Sequence, residues 1–155
     1  MVYFKVIFTV GFMVFASSII AEEGVVSVVP EHEHKSAEKL GSVGPTETKG
    51  IKSVKSLGEV SLSGEFKSLD GRFMRARELT ISPGGVVAVH RHDARPGVAY
   101  ILEGEIIEFR NDAAHGILRK RGEVSFEKTG VVHWWENKSD KMVRALVVDI
   151  IESNP

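Results

Sequence analysis

The sequence contains no cysteine. That removes a disulfide framework, a thiolate metal site and a cysteine nucleophile from consideration, and makes the fold indifferent to the redox state of its compartment. It also lacks an excess of charge. Twenty Lys and Arg stand against 21 Asp and Glu, a formal net charge of −1. Nucleic-acid binding normally needs a basic face, so no nucleic-acid partner is expected. No stretch after the first 21 residues keeps apolar spacing of i, i+3, i+4 through three turns, which leaves no helical crossovers for a parallel α/β sheet. There is no GxSxG, no HExxH, no glycine-rich phosphate loop and no dinucleotide fingerprint. At 155 residues the chain is long enough for a single core.

One long apolar run is present. Met1 to Lys5 carries one positive charge, Val6 to Ala21 is uncharged and mostly apolar, and Glu22 and Glu23 end it abruptly. About 16 residues fall short of the ~20 that span a bilayer as a helix, but suit the core of a signal peptide. Residues 1–21 are therefore expected to be a signal peptide cleaved after Ala21. The mature protein would be secreted or periplasmic, without a stable membrane span; an uncleaved membrane anchor is the alternative. Residues 22–56 are rich in Glu, Lys, Ser, Gly and Pro and read as a flexible N-terminal arm or linker. Within it, His32 and His34 read as a solvated segment, with an accessory metal tag as the other reading.

Residues 57–155 have the texture of an all-β domain. Short runs of β-formers alternate with turn signals, and strands are expected over Glu59–Leu62, Phe73–Ile81, Val86–His92, Ala99–Arg110, Ile117–Lys128, Val132–Asn137 and Met142–Ile151. Pro83-Gly84-Gly85 and Asn111-Asp112 read as turns, and Gly104 as a bend. So many short strands imply a sandwich or a barrel. Residues two apart on a strand share a face, so His90 and His92 project side by side while Arg91 points away. Two imidazoles on one face are half a chelate, and His133 on a late strand can supply a third. Neutral imidazole binds zinc, iron, nickel and copper, and three such ligands leave open positions for water, dioxygen or substrate.

The blocks Gly84-(5)-His90-Arg91-His92 running on to Gly104, and Gly122-(7)-Gly130-(2)-His133-(3)-Asn137, resemble the two motifs of the cupin superfamily in order and internal spacing. The resemblance spans roughly Gly71 to Ile151. It implies a small antiparallel jelly-roll β-barrel with one divalent transition-metal ion (Fe, Mn, Ni, Cu or Zn) inside, and often a homodimer. Lys128 stands where the family has proline. Gly97 stands where the family has its glutamate ligand, and glycine has nothing to coordinate with. Glu103, Glu105, Asp93 and Glu136 are too far along the chain or of the wrong parity to substitute, so a three-histidine site of His90, His92 and His133 is expected. An ion held by neutral ligands alone keeps its charge and favours an anionic ligand.

Arg95 is a candidate clamp for a substrate carboxylate, or an exposed loop residue. Trp135 and Asn137 share parity with His133 and should face inward; Trp135 either packs on a ligand or plugs the barrel, and Asn137 braces a turn. Trp134 and Tyr100 should face outward, and His115 should be exposed. The resemblance suggests dioxygenase chemistry on a small organic molecule. A metal-assisted lyase or isomerase fits the same residues, and a non-catalytic small-molecule-binding or sensor cupin is the alternative.

Overall fold

The computed structural model describes residues 28–152. The expected signal peptide and the first residues of the arm lie outside that range. Eight strands form one sheet wrapped into a nearly closed barrel: β1 (Lys49–Ser61), β2 (Arg72–His92), β3 (Gly97–Glu103), β4 (Glu105–Arg110), β5 (Ile117–Lys120), β6 (Val124–Glu127), β7 (Val131–Glu136) and β8 (Val143–Glu152). The order is β5-β4-β7-β2-β8-β3-β6, with β1 also on β2, and every pairing is antiparallel. The small antiparallel barrel implied by the sequence is thus present.

The long β2 organises it. Its first half, 72–81, pairs with β8, and its second half, 86–92, pairs with β7. The change of partner falls at Pro83-Gly84-Gly85, which was expected to end one strand and begin another. The chain bends there without reversing. Gly84 takes a φ of +70°, and a side chain on Gly85 would strike Ser82 and Gly50 backbone, so the pair makes a corner that an ordinary residue would obstruct. The expected strand 117–128 is in fact two, broken at the turn before β6. Gly104 separates β3 from β4, as its bend signal indicated. Inward residues of both halves form the core: Leu79, Ile81, Val87, Ala99, Ile101, Ile106, Trp135, Val143 and Ala145. On the far side Ser125 on β6 donates to Glu108 on β4 at 2.6 Å, drawing the sheet ends together.

The arm is not a free linker. From Val28 onward it folds onto the barrel, with a helix α1 (Glu31–Lys39) followed by β1, so the domain begins well before residue 57. The helix has little apolar surface of its own, and docking holds it. Glu33 and Ala37, one turn apart, are fully buried. His34 Nδ1 contacts the Val89 carbonyl at 2.7 Å and Ser36 donates to Asp93 at 3.0 Å. Beyond the helix, Val89 N–H donates to the Pro45 carbonyl and Ala88 N–H to Thr48 Oγ1, covering an edge of β2 that would otherwise lack partners. Composition could not announce this, because the buried residue that anchors the helix is a glutamate.

That glutamate meets Arg95 in a bidentate pair, with Nε to Oε1 at 2.5 Å and Nη2 to Oε2 at 2.6 Å. The third nitrogen of Arg95 donates to Asp149 at 2.7 Å, and Asp149 also receives Arg75 and Arg77. Burial alone would raise the Asp149 carboxyl, but the arginines hold it below its ordinary range. Removing one member of a buried ion pair strands the other, at a cost of about 3–5 kcal/mol. Arg95→Ala should lose stability on that scale in urea unfolding at neutral pH; a loss below about 1 kcal/mol would mean the pair adds nothing once water replaces it.

Candidate metal centre

His90 and His92 come from the end of β2, and His133 from β7, where the register places it directly opposite His90. Strand alternation sends all three inward, and each is at most 5 % exposed. Their Nε2 atoms form a nearly equilateral triangle with sides of 3.2 Å (His90–His92), 3.1 Å (His92–His133) and 3.1 Å (His90–His133).

The other ring nitrogens decide what the triangle is. His90 Nδ1 faces the Ala88 carbonyl at 2.8 Å, His92 Nδ1 the Arg95 carbonyl at 3.1 Å, and His133 Nδ1 the Glu108 carboxylate at 2.9 Å. Carbonyls and carboxylates only accept, so each imidazole carries its proton on Nδ1 and turns an Nε2 lone pair toward the centre. Three lone pairs then meet with no proton to share. Burial keeps His90 and His92 neutral. It pushes His92 down to about 3, with help from the positive charge of Arg95, and pushes His90 well below its usual value, with help from the other two histidines.

Such a set fits a metal ion. His90, His92 and His133 would hold such an ion through their Nε2 atoms, and it would supply Lewis acidity at the cavity. Within the described residues, this is also the group of His, Asp and Glu side chains arranged to hold one. The Nδ1 partners fix ring orientation, as the supporting shell of a metal site does.

Glu108 was overlooked in the sequence. It is fully buried and holds His133, Ser125, Arg110 and Arg119 together; burial opposes its ionisation, yet these partners keep its carboxyl well below the ordinary range. The indole N–H of Trp135 also points at His133 Nδ1, at 3.2 Å, but the shorter contact with the Glu108 carboxylate, which can only accept, keeps the His133 proton on Nδ1.

A second carboxylate was missed as well. Glu127, on β6, is 6 % exposed. Its Oε2 lies 3.5 Å from His92 Nε2 and its Oε1 3.7 Å from His133 Nε2. The sequence pattern concealed it: in VSFE the apolar Val124 and Phe126 suggest the inner face, yet Ser125 and Glu127 are buried and Phe126 is 69 % exposed.

The histidines stand in a cavity of about 40 Å³ (space for the centres of water molecules) that also reaches Arg77, Arg95, Glu127, Trp135, Leu79 and Val54, room for a few water-sized positions. Of the other candidates, Arg95 lines this cavity but is buried with its donors engaged by Glu33 and Asp149. It is no exposed loop residue. Trp135 lines the cavity and packs in the core. Asn137 stays outside it, donating to the carbonyls of Ile81, Ser82 and Lys141 and bracing the turn. Tyr100 and His115 are exposed, and Trp134 stacks on Phe109 at 3.9 Å on the outer side.

A family described as "Cupin domain" (Cupin_2) matches residues 77–149, a span that holds all three histidines. No curated protein matches the sequence. Similar solved structures include the TT1209 protein of Thermus thermophilus, at 26 % identity over 61 % of this chain and 82 % of that one (TM-score 0.45). A predicted oxalate decarboxylase from Thermotoga maritima is 21 % identical over 68 % and 98 % (TM-score 0.46). The cupin domain of Schizosaccharomyces pombe Cnp3 is 18 % identical over 74 % and 72 % (TM-score 0.49).

The neutral imidazoles have a consequence for the metal-free protein. In the unfolded chain both His90 and His92 take up a proton near pH 6.5, whereas in the fold they resist it, His92 to about 3. The unfolded state therefore binds more protons below pH 6.5, and folding stability falls as pH drops through that window, by about 1.4 kcal/mol per pH unit for each unmatched proton. Glu127, whose carboxyl burial pushes above its ordinary range, offsets part of this as the pH falls. The melting temperature of chelator-treated protein should fall between pH 7 and pH 5. A level or rising value would mean the rings are charged in the fold.

Proposed function

The chain belongs to the cupin family, and from that premise we propose an exported cupin that holds one divalent transition-metal ion on His90, His92 and His133 and acts on a small organic molecule. The observation that carries this reading is the convergence of three imidazole Nε2 atoms, 3.1–3.2 Å apart, in a buried cavity. A bound ion would supply Lewis acidity, and one that changes oxidation state would supply electrons to dioxygen. The reaction classes that fit are an oxygenase, a lyase or an isomerase.

The chain's own residues do the rest. Ala88 and Arg95 carbonyls and the Glu108 carboxylate keep the ring protons on Nδ1. Leu79, Val87, Ala99 and Trp135 keep the cavity apolar, which strengthens every charge interaction inside it. Arg77 and Arg95 line it with positive charge, which supports an anionic ligand. Arg95 acts there as a fixed field, because its hydrogen bonds go to Glu33 and Asp149.

The second reading, a non-catalytic binding or sensor cupin, rests on the scarcity of acid–base groups. Apart from the histidines and arginines, Glu127 is the titratable side chain in the cavity lining. If a ligand or the metal occupies Glu127, nothing is left there to move a proton.

Export is supported by the apolar run Val6 to Ala21, and protein recovered from its native cell should begin at Glu22. Recovery with Met1 in place would favour the anchor instead. A homodimer also belongs to the proposal; Tyr100 and Phe126, exposed on the neighbouring strands β3 and β6, offer it apolar surface.

Elemental analysis of untagged protein expressed from Glu22, beside a folded His90→Ala/His92→Ala variant, tests the metal site. Near-stoichiometric iron, manganese, nickel, copper or zinc, lost in the variant, is the expected result. Well-folded protein that takes up neither Fe(II) nor Zn(II) would overturn it. With metal bound, turnover of small carboxylates, diketones or phenols would separate the enzyme from the binder.

A further inference from the structure

We infer that Glu127 is a fourth protein ligand of the metal ion, reaching the site from β6 in place of the side chain that Gly97 cannot carry. The inference rests on the metal-site reading above and deepens it.

Four observations converge on Glu127. Its two oxygens face two different histidines, 3.5 Å from His92 Nε2 and 3.7 Å from His133 Nε2. Ligands held about 2.0–2.2 Å from one ion stand roughly 3 to 3.5 Å from one another, so Glu127 is already near that spacing from two of the histidines, and a movement of its side chain toward His90 would complete the set. Glu127 also differs from every other buried carboxylate around the site. Glu33 has Arg95, Asp149 has three arginines, and Glu108 has two arginines, a serine and a histidine. Among the described residues, the contacts of the Glu127 oxygens are the two histidine nitrogens, and neither nitrogen has a proton to give. A buried carboxylate without donors is costly, and so are three lone pairs pressed together. One cation satisfies both.

The third observation is the register. Gly97 on β3 and Glu127 on β6 are direct Cα partners, so their side-chain positions adjoin on the same face of the sheet. The fourth is steric. A Cβ on Gly97 would lie 2.7 Å from the Val148 carbonyl oxygen and 3.0 Å from Asp149 Cβ. Strand β8 approaches too closely for any side chain at 97, and the neighbouring strand delivers the carboxylate. The resulting donor set, three imidazoles and one carboxylate, removes one of the two positive charges of the ion. It suits manganese, iron, nickel or zinc, and the ion's open positions would face the cavity.

The test uses the chain from Glu22 with Glu127→Gln and Glu127→Ala, probed with Zn(II) and Co(II) alone. Competition titration should show Zn(II) affinity about 10- to 100-fold weaker in both variants, with the visible bands of bound Co(II) shifted. The metal-free variants should melt at or above the temperature of the metal-free parent, because an unpaired buried carboxylate has been removed; this separates lost ligation from lost structure. Unchanged affinity and unchanged Co(II) bands would overturn the assignment while leaving the three histidines as ligands. A parent chain that binds neither ion, like His90→Ala/His92→Ala, would overturn both readings together.

Discussion

The carboxylate of Asp149 is the point on which the fold and the site both depend. It is fully buried on β8 and gathers Arg75 and Arg77 from β2 and Arg95 from the loop before β3. Arg95 in turn holds Glu33, and so the helix that closes the N-terminal side. The same residue offers its backbone carbonyl to His92 Nδ1. A single ion cluster therefore docks a helix, joins two strands to a loop and sets the tautomer of one inward-facing imidazole. Buried charges of this kind rarely add net stability over an apolar substitute, but they are demanding of geometry. Here the geometry they demand is that of the site.

A matching arrangement operates on the other side of the triangle. Glu108 on β4 orients His133 while bonding Ser125 on β6 and two arginines. Each carboxylate thus orients a histidine, directly or through one intermediate, and ties together strands that are not neighbours in sequence. Among the described residues, Glu127 stands apart because its oxygens contact only the two histidine nitrogens. The cavity around it combines an apolar wall, positive charge from Arg77 and Arg95 and a cluster of lone pairs. Burial makes each of these count for more than it would in water.

Much of this was legible before folding. Alternation on a strand put His90 and His92 on one face, Tyr100 and Trp134 on the outside and Trp135 inward, and each is placed so. Spacing around Gly84, Gly104, Gly122 and Gly130 marked the barrel. Other features were illegible for identifiable reasons. The glycine pair at 84–85 carries the same signal whether it reverses a chain or bends one. The segment EHEHKSAEK looks solvated because its buried face is a glutamate and an alanine, which only a partnered arginine makes stable. Strand β6 inverts its polarity, and no rule of hydrophobic parity would send Phe126 outward and Glu127 in.

The sequence by itself determined the all-β class, the pairing of His90 with His92, the addition of His133 and the absence of a side chain at 97. All of these depend on short-range geometry, a two-residue strand period and a set motif spacing, which the order of residues contains. Tertiary structure alone decided which carboxylates surround the histidines, that Arg95 is committed to Glu33 and Asp149, and that the N-terminal segment belongs to the domain. Those are consequences of register between strands far apart in the chain: Gly97 meets Glu127, and Arg110, two residues beyond Glu108, meets His133. Cross-strand register is set by the whole core packing at once, so no local stretch of sequence carries it.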